Sequence, residues 1–155
     1  MGPLDDLFRR FEHLNDVGAS LSNERDLNRL LEKIVLAAKS ITRADGGTLY
    51  LLSEDRRHLH FEIVRTDSLN IAFGGTSGNP VSGKFPDLPL YRDDGSDNDT
   101  MVAAFAAISG QTVNIADAYV AKGFDFSGTR QFDERTGYRS QSFLTVPMRN
   151  HEGEI

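Results

Sequence analysis

Three patterns in these 155 residues predict an α+β fold. Two stretches near the start repeat apolar residues at helical spacing, residues 58–65 and 142–147 alternate with period two, and glycines and prolines punctuate the segments between. Helices that come first and carry an apolar face need a sheet to lie against.

The first helix is expected over residues 4–21, after Pro3, which suits a first-turn position. Leu7, Phe11, Leu14, Gly18 and Leu21 recur at spacings of four and three, and Leu4 extends the stripe backwards. Such a stripe packs either on its own domain or on a second chain lying alongside. Ser22-Asn23-Glu24 breaks the helix, and Asp26 can cap the next, in which Leu27, Leu30, Leu31, Ile34, Val35, Ala38 and Ile41 form a wide apolar face.

Asp45-Gly46-Gly47 is expected to end that helix, and residues 48–52 read as a central strand covered on both faces. Asp55-Arg56-Arg57 turns the chain into residues 58–65, which pair back as a hairpin with Leu59, Phe61 and Ile63 on one side. His58 and His60 share the other. Two histidines at this spacing need a third ligand to hold a metal, and none lies near in sequence, so a solvated strand face is expected.

Residues 70–98 read as a long loop, broken by Gly74, Gly75, Gly78, Pro80, Gly83, Pro86, Pro89 and Gly95. Its glycines match neither the dinucleotide nor the P-loop template. Asp93, Asp94, Asp97 and Asp99 lack the spacing of a calcium loop and are expected to be a solvated acidic segment leading to a helix N-cap. Residues 101–109 form a short alanine-rich helix that Gly110 stops.

The chain is organised around residues 112–148, read as strand, irregular loop, short helix and second strand. In that second strand Ser142, Leu144 and Val146 fall on one face and Phe143, Thr145 and Pro147 on the other. Before it, Thr136-Gly137-Tyr138-Arg139-Ser140 is a glycine turn flanked by hydroxyls and a guanidinium. It can aim donors at a small ligand, although the simpler reading makes Gly137 the helix-ending residue and the hydroxyls local turn chemistry. Asp133-Glu134, adjacent on a helix, reads as surface charge.

Composition narrows the function. A net charge of −6 opposes a sequence-independent grip on nucleic acid, and the absence of cysteine removes disulfides, thiol catalysis and zinc–thiolate sites. No apolar run approaches the roughly 20 residues of a membrane span, and the N-terminus has no signal-peptide core, so a cytoplasmic location is expected. No nucleophile turn, zinc-protease motif or paired-carboxylate pattern is present. The expectation is a single domain that is not itself an enzyme, with neither metal nor cofactor.

Thr112-Val113-Asn114-Ile115-Ala116-Asp117-Ala118-Tyr119, then Phe132-Asp133, Thr136-Gly137-Tyr138-Arg139-Ser140 and Phe143-Leu144-Thr145-Val146-Pro147-Met148, resemble the GAF domain. The likeness is to GAF domains of cyclic-nucleotide phosphodiesterases and of bacterial signalling proteins: HD-GYP phosphodiesterases, nucleotide cyclases and sensor histidine kinases. It implies a PAS-related antiparallel sheet of about five or six strands, helices packed on one side and a ligand-pocket cover, spanning residues 124–137, on the other. Residues 1–21 would be a dimer or signalling helix, and residues 22–155 a GAF domain followed beyond Ile155 by a last strand and helix bearing an Asn-Lys, Phe, Asp-Glu motif.

The resemblance also implies a site. Phe73 would stack on the purine of a cyclic nucleotide, backbone groups of Ala116, Asp117 and Ala118 would read base and phosphate, Tyr119 would shape the wall, and the hydroxyls of Thr136 and Ser140 would contact the ligand. An aromatic face with amides and hydroxyls can hold a base and one phosphate without a basic patch. The implied function is a sensory domain that relays a small ligand through a homodimer of N-terminal helices to an output domain. The alternative is a ligand-free dimerisation module in which Phe73, Phe124, Phe126 and Tyr138 fill their own pocket.

Overall fold

The computed structural model describes residues 2–155, in the order α1 (Pro3–Asn23), α2 (Leu27–Thr42), β1 (Gly46–Leu52), β2 (His58–Thr66), β3 (Ile71–Phe73), β4 (Leu88–Pro89), α3 (Val102–Ser109), β5 (Val113–Ile115), α4 (Ser127–Thr136) and β6 (Phe143–Thr145). They gather into two compact units. One holds the chain up to Tyr50 together with Phe61–Pro86, and the other holds Leu51–His60 and Asp87–Ile155.

The first unit is built on α2. Asp26 caps it, its carboxylate accepting the Arg29 N–H at 2.9 Å. Leu31 and Val35, one turn apart, are buried against Leu49 of β1 and Ile63 of β2, with Ile34 packed beside them. Each such side chain withdrawn from water contributes about 1.5–3 kcal/mol. The buried face is narrower than the sequence suggests: Leu27, Ala38 and Ile41 are exposed, because α2 meets the sheet along the single row Leu31, Val35, Lys39. Lys39 is buried with them and pairs its ammonium with Asp67 at 2.6 Å. The helix ends at Thr42, where Arg43 takes the left-handed conformation, so Gly46 and Gly47 open β1 rather than close α2.

α1 lies alongside α2, with His13 Nε2 3.1 Å from Ser40 Oγ. None of its residues is buried. Leu4, Leu7, Phe11 and Leu14 of the stripe, and Phe8 beside them, are 55–69 % exposed, so the apolar stripe is not spent on its own domain.

The larger sheet runs β1-β2-β3, with β4 also pairing with β2. β1 is therefore an edge rather than a central strand: only Leu49 is buried and Leu51 is exposed, since no described strand pairs with its outer side. In β2 the expected alternation breaks where Ile63, Val64 and Arg65 are buried in succession. Ile63 joins the core under α2, whereas Phe61 turns to the rings of Tyr50 and Phe85. β3 and β4 occupy what reads in sequence as loop. Two or three residues between breakers are too few for a period-two signal, and Pro89 is tolerated because β4 pairs with β2 alone.

In the second unit, α3 starts after Met101, whose side chain makes no cap. The acidic residues upstream are used otherwise: Asp99 pairs with Arg92 at 2.8 Å and Asp94 accepts from Ser96. β5 and β6 pair antiparallel, Val113 with Thr145 and Ile115 with Phe143. They make a two-stranded sheet of their own instead of joining a single sheet of five or six strands, because neither bonds to a further described strand. Along β6 and past it, Phe143, Thr145 and Pro147 are half-buried while Leu144, Val146 and Met148 are exposed, the alternation expected of a half-covered strand. No helix among the described residues is long and apolar enough to cross a membrane.

Candidate functional site

The second unit brings Tyr119 and Ser140 onto one carboxylate, that of Asp133, while Asp117 and Ala118 find other partners. α4 places Asp133 on its covered side, one turn before Gly137 ends the helix with its N–H on the Asp133 carbonyl at 2.8 Å. Three donors meet the carboxylate: the Tyr119 hydroxyl at 2.7 Å, the Ser140 N–H at 2.8 Å and the Ser140 hydroxyl at 2.8 Å. Asp133 is 3 % exposed. Burial alone would raise its pKa, but the bonds from Tyr119 and Ser140 hold it below the usual carboxylate range. The same contact raises the Tyr119 phenol. The expectation that Asp133 is surface charge is thus corrected: the chain after Gly137 folds back over the helix end and covers it.

Asp117 forms the neighbouring knot. It accepts the Tyr119 N–H at 3.0 Å and binds the Arg139 guanidinium at 2.9 and 3.2 Å, which together lower its pKa. Arg139 lies 3.6 Å from the centre of the Tyr119 ring, and Arg130 lies 5.1 Å from it while donating to the Tyr119 carbonyl at 3.0 Å. Ala118 is buried with its N–H on the Gln141 carbonyl at 2.7 Å. Ala116 and Thr136 are exposed, and the Thr136 hydroxyl donates to the Phe132 carbonyl at 2.8 Å within its own helix. This is the local turn chemistry that the simpler sequence reading of the glycine turn gives. Sequence places Arg139 in the glycine turn and Asp133 in the Phe132-Asp133 pair, but gives Asp133 and Arg130 no role in a site. The signal for Asp133 was its place in a Phe-Asp pair seven residues before Ser140.

Phe73 belongs to the other unit. It ends β3 with its ring edge-on to Phe85 at 5.5 Å, and Phe85 stacks on Phe61 at 5.0 Å. Tyr50 meets Phe61 at 4.8 Å, and burial pushes its phenol up to about 12. In the second unit Phe105, Phe124, Phe126 and Phe143 form a continuous row, with centroids 5.5, 6.4 and 5.8 Å apart, while Tyr138 turns to Phe132 at 6.3 Å. A cavity of about 370 Å³ is lined by Asp97, Asp99, Phe105, Ile108 and Ser109, none of them a site residue expected from sequence. His60 Nδ1 lies 2.7 Å from Asp87, and no group of three or more His, Cys, Asp or Glu among the described residues could hold a metal ion.

The GAF domain family model matches residues 26–155. The chain belongs to the GAF domain family. Curated relatives include the "cGMP-specific 3',5'-cyclic phosphodiesterase" of Drosophila sechellia, 25% identical over 140 residues, and that of Drosophila mojavensis, 26% identical over 140 residues. These matches cover 87% of this chain but only 10% and 11% of the relatives, so this GAF domain spans about a tenth of their length. Among solved structures, the GAF domain from a phosphoenolpyruvate-protein phosphotransferase of Coxiella burnetii superposes with a TM-score of 0.63 at 12% identity, over 93% of this chain and 71% of that one. The corresponding Acinetobacter domain gives 0.60 at 17%, over 92% and 70%. Both likenesses concern the fold. GAF domains are regulatory and not themselves catalytic.

Proposed function

We propose that this GAF domain is the sensory segment of a bacterial signal-transduction protein. It binds a small ligand, with a cyclic nucleotide as the leading class, and relays the event through α1 to an output domain such as an HD-GYP phosphodiesterase or a cyclase. The observation that carries the reading is the uncovered apolar stripe of α1, with Leu4, Leu7, Phe11 and Leu14 exposed where a homodimer seam would bury them. The choice of a cyclic nucleotide is supported by relatives that are cGMP-specific 3',5'-cyclic phosphodiesterases. Residues 1–21 act as the signalling helix and residues 22–155 as the sensor. The ligand contacts expected on this reading are Phe73 in the first unit and Ala116, Asp117, Ala118, Tyr119, Thr136 and Ser140 in the second.

A specific observation favours a second reading, the ligand-free dimerisation module. The rings of each unit pack on one another, and the hydroxyls of Tyr119 and Ser140 are already spent on Asp133. Calorimetry with cyclic AMP, cyclic GMP and a panel of small metabolites separates the two. The sensor gives saturable heat that Phe73→Ala abolishes without unfolding; a folded dimer with no heat for any compound establishes the module instead.

A further inference from the structure

Arg65 lies on β2, buried to 7 % exposure. A guanidinium taken out of water must find partners for its donors, and this one binds four. Its Nη1 donates to the carbonyls of Val64 at 2.9 Å and of Phe73 at 2.5 Å, and its Nη2 donates to the Gly74 carbonyl at 3.1 Å and to the Glu32 carboxylate of α2. Glu32 in turn accepts from Thr76, from the hydroxyl at 2.5 Å and from the N–H at 3.4 Å. Burial pushes Glu32 up, but the Thr76 and Arg65 bonds hold it below the usual carboxylate range, so the pair is charged.

The backbone between these anchors has nowhere else to go. Gly74 has φ +76°, and a Cβ there would sit 1.9 Å from the Glu62 carbonyl oxygen. At Gly75 a Cβ would meet the Glu32 side chain and Ile63 Cδ1 at 3.1 Å. The four residues from Phe73 to Thr76 thus all lie against Arg65 or Glu32. Removing either charge leaves the other buried and unpaired, so the two act as a unit.

We infer that Arg65, acting through Glu32, is a positioning residue that locks the backbone at Phe73 and Gly74 to helix α2, so that a displacement of the Phe73 segment is transmitted to the helix. In its functional sense this rests on the proposed reading, which places a ligand at Phe73. An arginine is required because its planar fork spans two successive carbonyls and a carboxylate, which a lysine ammonium cannot do.

Amide hydrogen exchange of the 155-residue chain tests the coupling. Phe73→Ala leaves Arg65 and Glu32 intact, and is expected to speed exchange in α2 around Glu32 by about fivefold, the lower end of usual coupling between sites. In a Glu32→Ala background, which cuts the link from Arg65 to α2, the same substitution should leave α2 exchange unchanged. Arg65→Lys provides a second background and should behave as Glu32→Ala does. Equal acceleration with and without Glu32, or no acceleration in the natural chain, overturns the inference. Cyclic GMP is the probe in a separate arm. If it binds, it should protect α2 in the natural chain and not in Glu32→Ala. Absence of binding counts against the nucleotide reading alone, and the Phe73→Ala comparison still decides the coupling.

Discussion

Asp133 gathers three donors on one buried carboxylate. Asp133→Asn keeps the shape but turns an acceptor oxygen into a donor facing the donors already there, and should cost about 2 kcal/mol at pH 7 by denaturant titration. The pH dependence has a definite sign. A carboxyl whose folded pKa is depressed contributes stability above its unfolded value, near 4, and loses it as pH falls through the folded one. The gap between Asp133→Asn and the natural chain should therefore close as pH drops below about 4. Two glycines make a second comparison. Gly137 is left-handed at φ 71° with nothing within 4 Å of an added Cβ, so Gly137→Ala costs about 1–2 kcal/mol, whereas Gly74→Ala adds a backbone collision and should cost about 3 kcal/mol or more by the same titration. Asp26 and Gly137 were legible because capping is written within four residues of sequence. Asp133 was not, because its burial depends on Tyr119 and Ser140, brought in from 14 and 7 residues away.

At the scale of elements, α2 holds the first unit together. Asp26→Ala removes a single cap bond and should lower stability by about 1 kcal/mol in chemical denaturation. Val35→Ala, in the row on the sheet, should cost about 2–3 kcal/mol because a buried cavity adds to the lost transfer energy. Leu27→Ala, on the same apolar helix but exposed, should cost less than about 0.5 kcal/mol. The four helices could be read from periodicity and caps. The short strands β3 and β4 could not, since Ile71–Phe73 and Leu88–Pro89 are set by pairing with β2. β1 read as central because Thr48-Leu49-Tyr50-Leu51-Leu52 is apolar throughout, yet apolarity along a strand does not say whether a neighbour exists on its second edge.

For the whole molecule, the uncovered faces carry the prediction. On the proposed reading, Leu7→Lys with Phe11→Lys places two charges in the α1 seam and should convert a dimer to a monomer in light scattering. The unfolding midpoint of the separated chain should hardly move, because both side chains face solvent within one protomer. A monomeric natural chain under the same conditions removes the seam and with it the proposed relay.

Periodicity and motifs a few residues long were enough for the α+β class, the helix stripes, the caps at Asp26 and Gly137, the two-faced β6 and the GAF membership. Packing settles the rest: which apolar residues are covered, that β5 and β6 pair apart from the larger sheet, that Asp133 is buried, and that Arg65 ties Phe73 and Gly74 to Glu32. Each of these is a contact between segments distant in the chain, and such contacts follow from how elements pack rather than from the order in which residues occur.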